Sequence, residues 1–352
     1  MIEKALAELT LNITDGKHGD CRGKDDSGYY FISCKDIREG QIHYEDARQI
    51  IEEDFWDAHK RTRLEPDDIL VTNSGTIGRM AFVRDVPLTY RTTFQKSVAI
   101  VKPDKAKIFP KYLYYQLQNC VDDFINRSNG AAQKNLLLST MRAFKMNIHE
   151  DEDLQMHIAA ILSAYDDLIE NNQKQIKLLE EAAQRLYKEW FVDLRFPGHE
   201  TTPIVDGVPE GWKVDRADTF FNMSIGKTPP RAEKQWFTDG DKGTPWISIS
   251  DMGNSGTYVF HTTEGLTAEA ITKHNVRVVP TDTILVSFKL TVGRVSITTT
   301  STCTNEAIAH FLIPDSFLRE YTYLYLKCFE YDSLGNTSAI SKAVNSKIIN
   351  VS

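Results

Sequence analysis

The sequence lacks the features that mark membrane, secreted and disulfide-bonded proteins. No apolar run approaches the roughly 20 residues that a membrane-spanning helix needs, and Met1-Ile2-Glu3-Lys4 does not open a signal-peptide core. The 5 cysteines are odd in number, widely spaced and never in a Cys-x-x-Cys pair. Neither a disulfide framework nor a zinc site is therefore indicated. These absences predict a cytoplasmic protein in a reducing compartment, with no membrane partner.

Motifs for catalysis and cofactor binding are also missing. Gly226-Lys227-Thr228 is like the end of a phosphate-binding loop, but Phe221 stands where that motif needs its first glycine. No glycine-rich strand-to-helix turn could hold a nucleotide or S-adenosylmethionine, and the 9 histidines show no metal-ligand spacing. Pro66-Asp67-Asp68 and Pro103-Asp104 are typical of turns rather than of a nuclease site. We predict no catalytic residue, no metal site and no cofactor bound by this chain.

The formal net charge is −8, which alone argues against a nucleic-acid partner. The acidic excess lies mainly in residues 151–200, and the regions on either side are close to neutral. A neutral domain can still carry a basic face, so the charge leaves a DNA partner open.

The sequence is nearly repeated. Residues 31–79 align with residues 246–294 at a constant offset, and both copies contain Asp-x-Ile-Leu-Val followed by Thr-x-Gly-Arg. Gly16-Lys17 returns as Gly226-Lys227. A repeat of this length indicates tandem domains rather than a solenoid, and 352 residues suffice for two domains with their own cores.

Each copy is patterned as short strands followed by a helix. Residues 69–71 and 97–101 are β-rich runs bounded by turns, with counterparts at 284–286 and 308–313. A Tyr-Leu-Tyr motif opens an amphipathic helix in each copy, at Tyr112 and at Tyr323. The predicted class is α+β, with two similar α/β domains joined by a long coiled-coil-type helix. We expect the first domain at 1–148, the helix at 149–197 and the second domain at 198–352.

The connecting helix carries an apolar seam whose positions alternate steps of 4 and 3 residues, as in a left-handed coiled coil. The predicted helix-pairing residues are Ile158, Leu162, Tyr165, Ile169, Asn172, Ile176, Leu179, Leu186 and Trp190, with Ala183 completing the seam. A helix from Leu154 to Phe191 would be about 57 Å long at 1.5 Å per residue. Asn172 costs stability but fixes the register. The alternative is an amphipathic helix that lies on the core of one domain.

The end of this helix and the start of the second copy resemble a known family. The helix closes with Leu-Tyr-Lys-Glu-Trp-Phe-Val-Asp at 186–193, and the next domain opens with Val-Pro-Glu-Gly-Trp at 208–212. Together with the Asp-Asp-Ile-Leu-Val and Gly-Thr-Ile-Gly-Arg block at 67–79, these motifs are similar to those of the specificity subunit of Type I restriction–modification enzymes. The resemblance covers the whole chain.

The resemblance implies a non-catalytic subunit in which each domain reads one half of a bipartite site in double-stranded DNA. The helix would act as a spacer and dock two modification subunits, which bind S-adenosylmethionine and methylate adenine. A restriction subunit that uses ATP would join them, so S-adenosylmethionine, Mg²⁺ and ATP are expected on partner subunits.

One departure from the family concerns the end of the sequence. Family members usually carry a second conserved helix after the second domain, and Asn147 aligns here with Ser352. We therefore expect that helix to be absent, which would leave the seam free for self-association. Two other functions stay open: a coiled-coil adaptor without DNA, and a shortened subunit that sequesters its partners.

Reading DNA needs polar side chains at base edges and cations at phosphates. The basic loops at 16–24 and 226–234 supply Lys17, His18, Arg22, Lys24, Lys227, Arg231 and Lys234. Weaker candidates, any of which could be a solvated surface charge, are Lys35, Arg61, Arg63, Asn73, Ser74, Arg79, Gln133, Lys134, Lys289 and Arg294. The recurrence of Arg79 as Arg294 suggests a structural ion pair. Positions that differ, Asn73 against Phe288 and Ser74 against Lys289, are expected to be the better base readers.

Overall fold

The computed structural model describes residues 1–130, 134–213 and 217–331. The chain forms two compact units that divide between Gln173 and Lys174. Both units mix strands and helices, so the predicted α+β class is confirmed.

The first unit begins with strands and ends with the long helix. Its elements in chain order are β1 (Ile2–Ala5), β2 (Thr10–Asp15), β3 (Tyr30–Ile32), β4 (Ile37–Arg38), β5 (Gln41–Ile42), α1 (Glu52–Thr62), β6 (Ile69–Thr72), β7 (Met80–Phe82), β8 (Thr92–Phe94), β9 (Val98–Pro103), α2 (Pro110–Gln118), α3 (Val121–Asn126), α4 (Leu138–Arg142), β10 (Lys145–Ile148) and the first part of α5 (Glu152–Tyr187).

The main sheet of the first unit is antiparallel, in the order β2-β9-β6-β7, and the short strands β3 and β8 pair in parallel beside it. Successive side chains of a strand point to opposite faces. Ile69 and Val71 therefore join the core beneath α2, whereas Leu70 joins a second core with Phe94 and Ile100. Both faces of β6 are covered, which explains its unbroken apolar run.

The second unit repeats this plan after the end of α5. Its elements are β11 (Ile204–Val205), β12 (Val208–Pro209), α6 (Ala217–Phe220), β13 (Asn222–Ile225), β14 (Phe237–Asp239), β15 (Thr244–Ile247), α7 (Ile249–Asn254), β16 (Tyr258–Val259), β17 (Glu264–Leu266), α8 (Ala268–His274), β18 (Ile284–Ser287), β19 (Val295–Thr298), β20 (Cys303–Thr304), β21 (Ile308–Leu312) and α9 (Ser316–Cys328).

Strand pairing confirms the duplication. The second unit has a five-stranded sheet in the order β13-β21-β18-β19-β16, in which β13, β21, β18 and β19 correspond to β2, β9, β6 and β7. Ile69 pairs with Val101 in the first unit, and Ile284 pairs with Phe311 in the second. The parallel pair β3 and β8 likewise corresponds to β15 and β20.

Several glycines recur in both copies because the backbone conformation or a close contact at their positions requires glycine. Gly78 and Gly293 both have φ +85°, where a Cβ is strained. A Cβ on Gly16 would overlap the carbonyl oxygen of Phe94, and one on Gly226 would overlap that of Asn305. These glycines recur because the local chain path excludes any larger residue.

A second recurring motif is a capping turn. The carboxylate of Asp36 accepts hydrogen bonds from the backbone nitrogen of Ser33, at 2.8 Å, and from its hydroxyl, at 2.7 Å. Asp251 accepts the same two bonds from Ser248, at 2.9 Å and 2.7 Å. The recurring Ser-x-x-Asp sequence therefore has a structural cause.

Helix α5 agrees closely with the predicted helix. It spans 36 residues, about 54 Å at 1.5 Å per residue. Acidic Glu152 and Asp153 stand in its first turn, where they interact favourably with the helix dipole. A π-helical turn, Lys188–Val192, follows it, so that the backbone nitrogen of Asp193 donates to the carbonyl oxygen of Lys188 at 2.8 Å.

Aromatic rings hold this π turn within the second unit. Phe191 lies 4.8 Å from Tyr321 and 5.6 Å from Trp212, between ring centroids. Tyr187 lies 5.7 Å from Tyr321, and Phe196 lies 5.4 Å from Trp212. We call these five residues the aromatic ladder. The two motifs that carry the family resemblance, 186–193 and 208–212, are thus in direct contact.

Candidate nucleic-acid interface

Several of the predicted DNA-contacting residues meet at one end of the first sheet, where β2 and β6 end and β7 and β9 begin. The backbone nitrogen of Lys17 donates to Phe94 O at 2.8 Å, and that of Lys96 donates to Lys17 O at 3.2 Å. Asn73 N donates to Ser97 O at 3.0 Å. These bonds join three loops, after β2, after β6 and before β9, into one edge.

Two more loops complete this edge, which we call the first rim: residues 16–18, 33–35, 73–79, 95–97 and 134–135. Cys34 N donates to the hydroxyl of Ser97 at 3.2 Å. Gly75 N donates to Lys134 O at 3.2 Å. The rim therefore collects loops that are far apart in the sequence.

Four cations of the first rim are exposed. Among the described residues, the side chains of Lys35, Arg79, Lys96 and Lys134 have no hydrogen bond and no ion pair. Lys17 differs, because its Nζ lies 2.9 Å from Asp57 Oδ2, and this hydrogen bond raises the pKa of the lysine. Ser74 is half-buried on the same rim, and Gln133 lies outside the described residues. The first rim is an exposed positive surface.

Beside the rim, carboxylates of helix α1 pair with another predicted DNA-contacting residue, Arg22. Arg22 Nη2 lies 2.7 Å from Asp54 Oδ1 and 2.8 Å from Glu53 Oε2. The hydrogen bonds from Arg22 lower the pKa of Asp54 to about 2. Solvent screens exposed pairs of this kind, so they contribute little to stability. A DNA phosphate could therefore compete for the guanidinium of Arg22.

Two further candidates share one carboxylate. The Nε of Arg61 donates to the carbonyl oxygen of Asp15 at 3.1 Å, and its Nη2 forms an ion pair with the Asp15 carboxylate. His18 Nε2 lies 2.9 Å from the other oxygen of that carboxylate. Both side chains are therefore tied to the end of β2, next to the rim.

The remaining candidates of the first unit have different positions. Lys24 is exposed in the loop that precedes β3. Arg63 follows α1, and its carbonyl oxygen accepts a hydrogen bond from Lys102 Nζ at 2.7 Å, near the far end of β9. The structure therefore does not bring Arg63 to the first rim.

The second unit builds the corresponding edge with the same backbone bonds. Lys227 N donates to Thr304 O at 3.0 Å, as Lys17 N does to Phe94 O. Phe288 N donates to Ala307 O at 2.9 Å, as Asn73 N does to Ser97 O. We call residues 226–228, 248–250, 288–294 and 305–307 the second rim. Lys227 and Lys289 are exposed on it.

The expected ion pair of the recurring arginines is wrong. Arg294 Nη1 donates to the backbone carbonyl oxygen of Ile249, so Arg294 is structural through a neutral partner. Arg79 presents an exposed side chain for which the described residues supply no ion pair. Recurrence reflects the backbone here, because the backbone nitrogen of each arginine donates to a hydroxyl seven residues earlier, on Thr72 or Ser287.

Two other predicted residues flank the second rim with different partners. Arg231 Nη1 lies 2.6 Å from Glu264 Oε2, and its guanidinium carbon lies 4.4 Å from the ring centroids of Phe237 and Trp246. Lys234 is exposed. Arg231 is therefore held more firmly than a solvated cation.

The expectation that Asn73 and Phe288 are contrasting base readers is not supported. Asn73 is only 5% exposed and Phe288 only 1% exposed, because both residues follow directly from a central strand into the core. Neither side chain reaches the surface in this conformation. Ser74 and Lys289, one residue further on, are the positions of this loop that differ and are also accessible.

Helix α5 contacts the first unit through polar side chains. Gln155 accepts a hydrogen bond from Phe109 N at 2.8 Å and donates to His149 O at 2.6 Å. Asp166 accepts the hydroxyl of Tyr115 at 2.6 Å. Glu170 forms an ion pair with Arg84. The helix therefore docks on the first unit through these polar contacts together with Ile158 and Ala159, which pack on its core near the start of the helix.

The apolar seam of α5 is correspondingly exposed. Exposed positions along it are Leu162, Tyr165, Ile169, Asn172, Ile176, Leu179 and Leu186, whereas Ile158, Ala183 and Trp190 are half-buried. Within the second unit the seam also borders a groove of about 940 Å³. Apolar residues that line this groove are Ile176, Leu179, Ala183, Tyr258, Phe260, Tyr323 and Leu324. A contiguous apolar surface of this kind marks an interaction site.

The described parts of the chain show neither a metal site nor a membrane span. Residues 1–130, 134–213 and 217–331 contain no group of three or more His, Cys, Asp or Glu side chains that could hold a metal ion. None of the helices in these ranges is both long and apolar enough to cross a membrane.

Comparison with known proteins identifies the two repeats. The family model for the Type I restriction modification DNA specificity domain matches the chain twice, at residues 21–181 and 209–351. The chain belongs to this family. Each unit contains one specificity domain, and each rim is the edge of a specificity-domain sheet.

Relatives match over different lengths. The specificity subunit of the Type I restriction enzyme MjaIX from Methanocaldococcus jannaschii is 30% identical over 47% of this chain and 38% of its own length. That of HindI from Haemophilus influenzae is 23% identical over 65% of this chain and 62% of its own length. A putative MjaX specificity subunit from M. jannaschii is 25% identical over 93% of this chain and 76% of its own length. The chain thus spans less than two thirds of the first two relatives.

The fold agrees with a solved structure. The crystal structure of a Type I restriction-modification system S subunit from M. genitalium covers 100% of this chain with a TM-score of 0.53, at 13% identity and over 83% of that chain. This likeness shows that the arrangement of strands and helices is that of specificity domains.

Sequence reasoning missed two charged residues of the rims. Lys96 stands one residue before the predicted strand 97–101, and Glu306 precedes the counterpart strand of the second specificity domain. Both are exposed. A charged residue in the tight turn before a strand of both copies was the signal that could have identified them.

Proposed function

We propose that this chain is the DNA sequence-recognition subunit of a Type I restriction–modification complex, with each specificity domain reading one half of a bipartite target. The observation that carries this function is the pair of rims. Equivalent backbone hydrogen bonds form both rims, but the exposed side chains of the two rims differ. A constant frame with variable polar residues is what two different half-sites require.

DNA contact would be made at the rims and along their flanks. In the first domain, Lys35, Arg79 and Lys134 would contact phosphates, and Ser74 would face a base edge. In the second domain, Lys227, Lys234 and Lys289 would take these roles. Lys17, Arg22 and Arg231 would contribute by exchanging a carboxylate partner for a phosphate, whereas Arg61 would add its half-exposed charge while it stays paired with the buried Asp15. The domain limits 1–148 and 198–352, with a spacer at 149–197, belong to this proposal.

The exposed seam of α5 would dock the modification subunits, and through them the restriction subunit. Support comes from the orientation of the helix, since polar contacts hold it to the first domain while its seam residues from Leu162 to Leu179 are exposed. Where no other helix covers the seam, the same surface would pair with α5 of a second chain.

The chain itself would be non-catalytic. S-adenosylmethionine, Mg²⁺ and ATP would be bound by the partner subunits, because base recognition at the rims uses only hydrogen bonds and charge. We expect no S-adenosylmethionine binding by the purified chain in calorimetry. Micromolar binding would contradict this assignment.

Exchange of one domain tests the assignment of one half-site to each copy. Residues 1–148 are replaced by those of a relative, and the methylated sites in cells are mapped with the modification subunits present. We expect one half of the target to change and the other to persist. Simultaneous change of both halves would contradict the proposal. A wild-type chain without salt-dependent binding to DNA would favour the adaptor function instead.

A further inference from the structure

The two rims differ in charge at one structurally identical position. A three-residue turn joins β8 to β9 in the first domain (95–97), and β20 to β21 in the second (305–307). Gln95 N donates to Ile32 O at 2.8 Å, and Asn305 N donates to Ile247 O at 3.1 Å. Gly16 N donates to Val98 O at 3.2 Å in the first copy, as Gly226 N does to Ile308 O at 3.1 Å in the second. These bonds align Lys96 with Glu306.

The surroundings of this position also differ in charge. Lys96 is followed by Ser97, whose hydroxyl accepts Cys34 N next to the exposed Lys35. In the second domain, the position that corresponds to Lys35 is Ser250. Glu306 accepts a hydrogen bond from the hydroxyl of Thr228. The first rim therefore carries cations at two places where the second carries a carboxylate and a hydroxyl, and the reverse holds at one place, where Lys289 stands opposite Ser74.

We propose that Lys96 contacts a DNA phosphate, that Glu306 keeps phosphate away from the same position of the second rim, and that the two half-sites are therefore held unequally. This inference rests on the proposed function. A lysine at a phosphate releases counterions that are condensed on the DNA, whereas a carboxylate releases none and repels the DNA backbone. The first domain then supplies more of the salt-dependent affinity, and the second depends more on contacts to bases.

Binding of the full-length chain to a non-specific 40-base-pair duplex measures this difference, with fluorescence anisotropy at several NaCl concentrations. Each phosphate contact adds about 0.9 to the slope of log affinity against log salt. Lys96→Gln should lower the slope by about 0.9, so that the advantage of the wild type shrinks about 3.5-fold between 50 and 200 mM NaCl. Glu306→Lys should raise the slope by a similar amount.

Matched controls separate position from charge. Lys105 is an exposed lysine that pairs with Asp67 beyond the far end of β9, so Lys105→Gln should leave the slope unchanged. Glu210 is exposed in the β11–β12 hairpin, and Glu210→Lys controls for Glu306→Lys. Circular dichroism checks that each variant is folded. A gain of slope in Glu306→Lys that keeps the circular dichroism spectrum of the wild type is then due to the charge at this position.

The outcomes distinguish this inference from the proposed function. If the wild-type chain binds the duplex without salt dependence, DNA recognition itself is contradicted. If the wild type binds with salt dependence but Lys96→Gln equals Lys105→Gln and Glu306→Lys equals Glu210→Lys, the unequal rims are refuted and DNA recognition stands.

Discussion

Replacing Ile176 with aspartate places a charge in the middle of the exposed seam of α5. Ile176 is 56% exposed and also borders the groove of the second unit. If the seam pairs with the seam of a second chain, the aspartate of each chain would be buried in the pair. We expect the wild-type chain to self-associate at micromolar concentration and the variant to remain a monomer.

The magnitude follows from the exposed fraction. Complete burial of an isoleucine side chain contributes about 1.5–3 kcal/mol, so the exposed half of Ile176 accounts for roughly 1–1.5 kcal/mol per chain. A symmetric pair loses this twice, and each 1.4 kcal/mol changes the dissociation constant about tenfold. Association should weaken by about 30- to 140-fold, and further because the carboxylate must be desolvated.

Light scattering across a concentration series measures the association, and circular dichroism verifies that the helix is intact. Leu178→Asp is the matched control, because Leu178 is 64% exposed on the same helix but lies off the seam. The same pair of variants can be tested for capture of the modification subunit. A wild-type mass of one chain at every concentration, with the helix formed, would refute self-association. Equal loss in both variants would show that the seam has no special role.

Three other substitutions test the packing of the units. Tyr115→Phe removes the hydroxyl that Asp166 accepts, and should lower the free energy of unfolding of the first unit by about 1 kcal/mol in urea titrations; Tyr90→Phe, at an exposed tyrosine, is the control. Gly226→Ala should destabilise the second unit, since the new Cβ would overlap a carbonyl oxygen; Gly256→Ala, in open space, should not. Burial lowers the pKa of His310 to about 4, so the folded state disfavours the protonated ring. The contribution of His310 to the free energy of unfolding of the second unit should be fully present above pH 6.5 and should fall by about 3 kcal/mol as the pH drops to 4. This part of the pH dependence should be lost in His310→Ile. Its persistence in the variant would contradict the role of the histidine.

Much of the fold could be predicted from the sequence because the repeat is dictated locally. Gly78 and Gly293 need a left-handed backbone, and the Ser-x-x-Asp turns satisfy their own hydrogen bonds. Strands such as β6 and β18 show their burial on both faces as unbroken apolar runs. These requirements involve neighbours in the sequence, so pattern alone reveals them.

The candidate site was less predictable because its properties depend on distant residues. The ammonium group of Lys17 pairs with the carboxylate of Asp57, which is 40 positions away in the sequence. The sequence predicts that Asn73 is an accessible polar residue of a loop, but its side chain is buried because the loop begins at a central strand. The spacing of apolar residues predicts the seam, but only the tertiary contacts of Gln155, Asp166 and Glu170 reveal which side of the helix faces solvent.

The π turn at Lys188–Val192 determines which insertions and deletions this segment tolerates. A π turn contains one residue more than the α-helical path needs. Deletion of a single residue within this turn would convert it to an α-helical turn and keep the residues after it in phase. Insertion of one more residue before Phe191 would instead rotate everything after it by about 100°, since a helix has 3.6 residues per turn. Phe191 would then turn away from Tyr321 and Trp212. The segment should therefore accept the loss of one residue better than the gain of one.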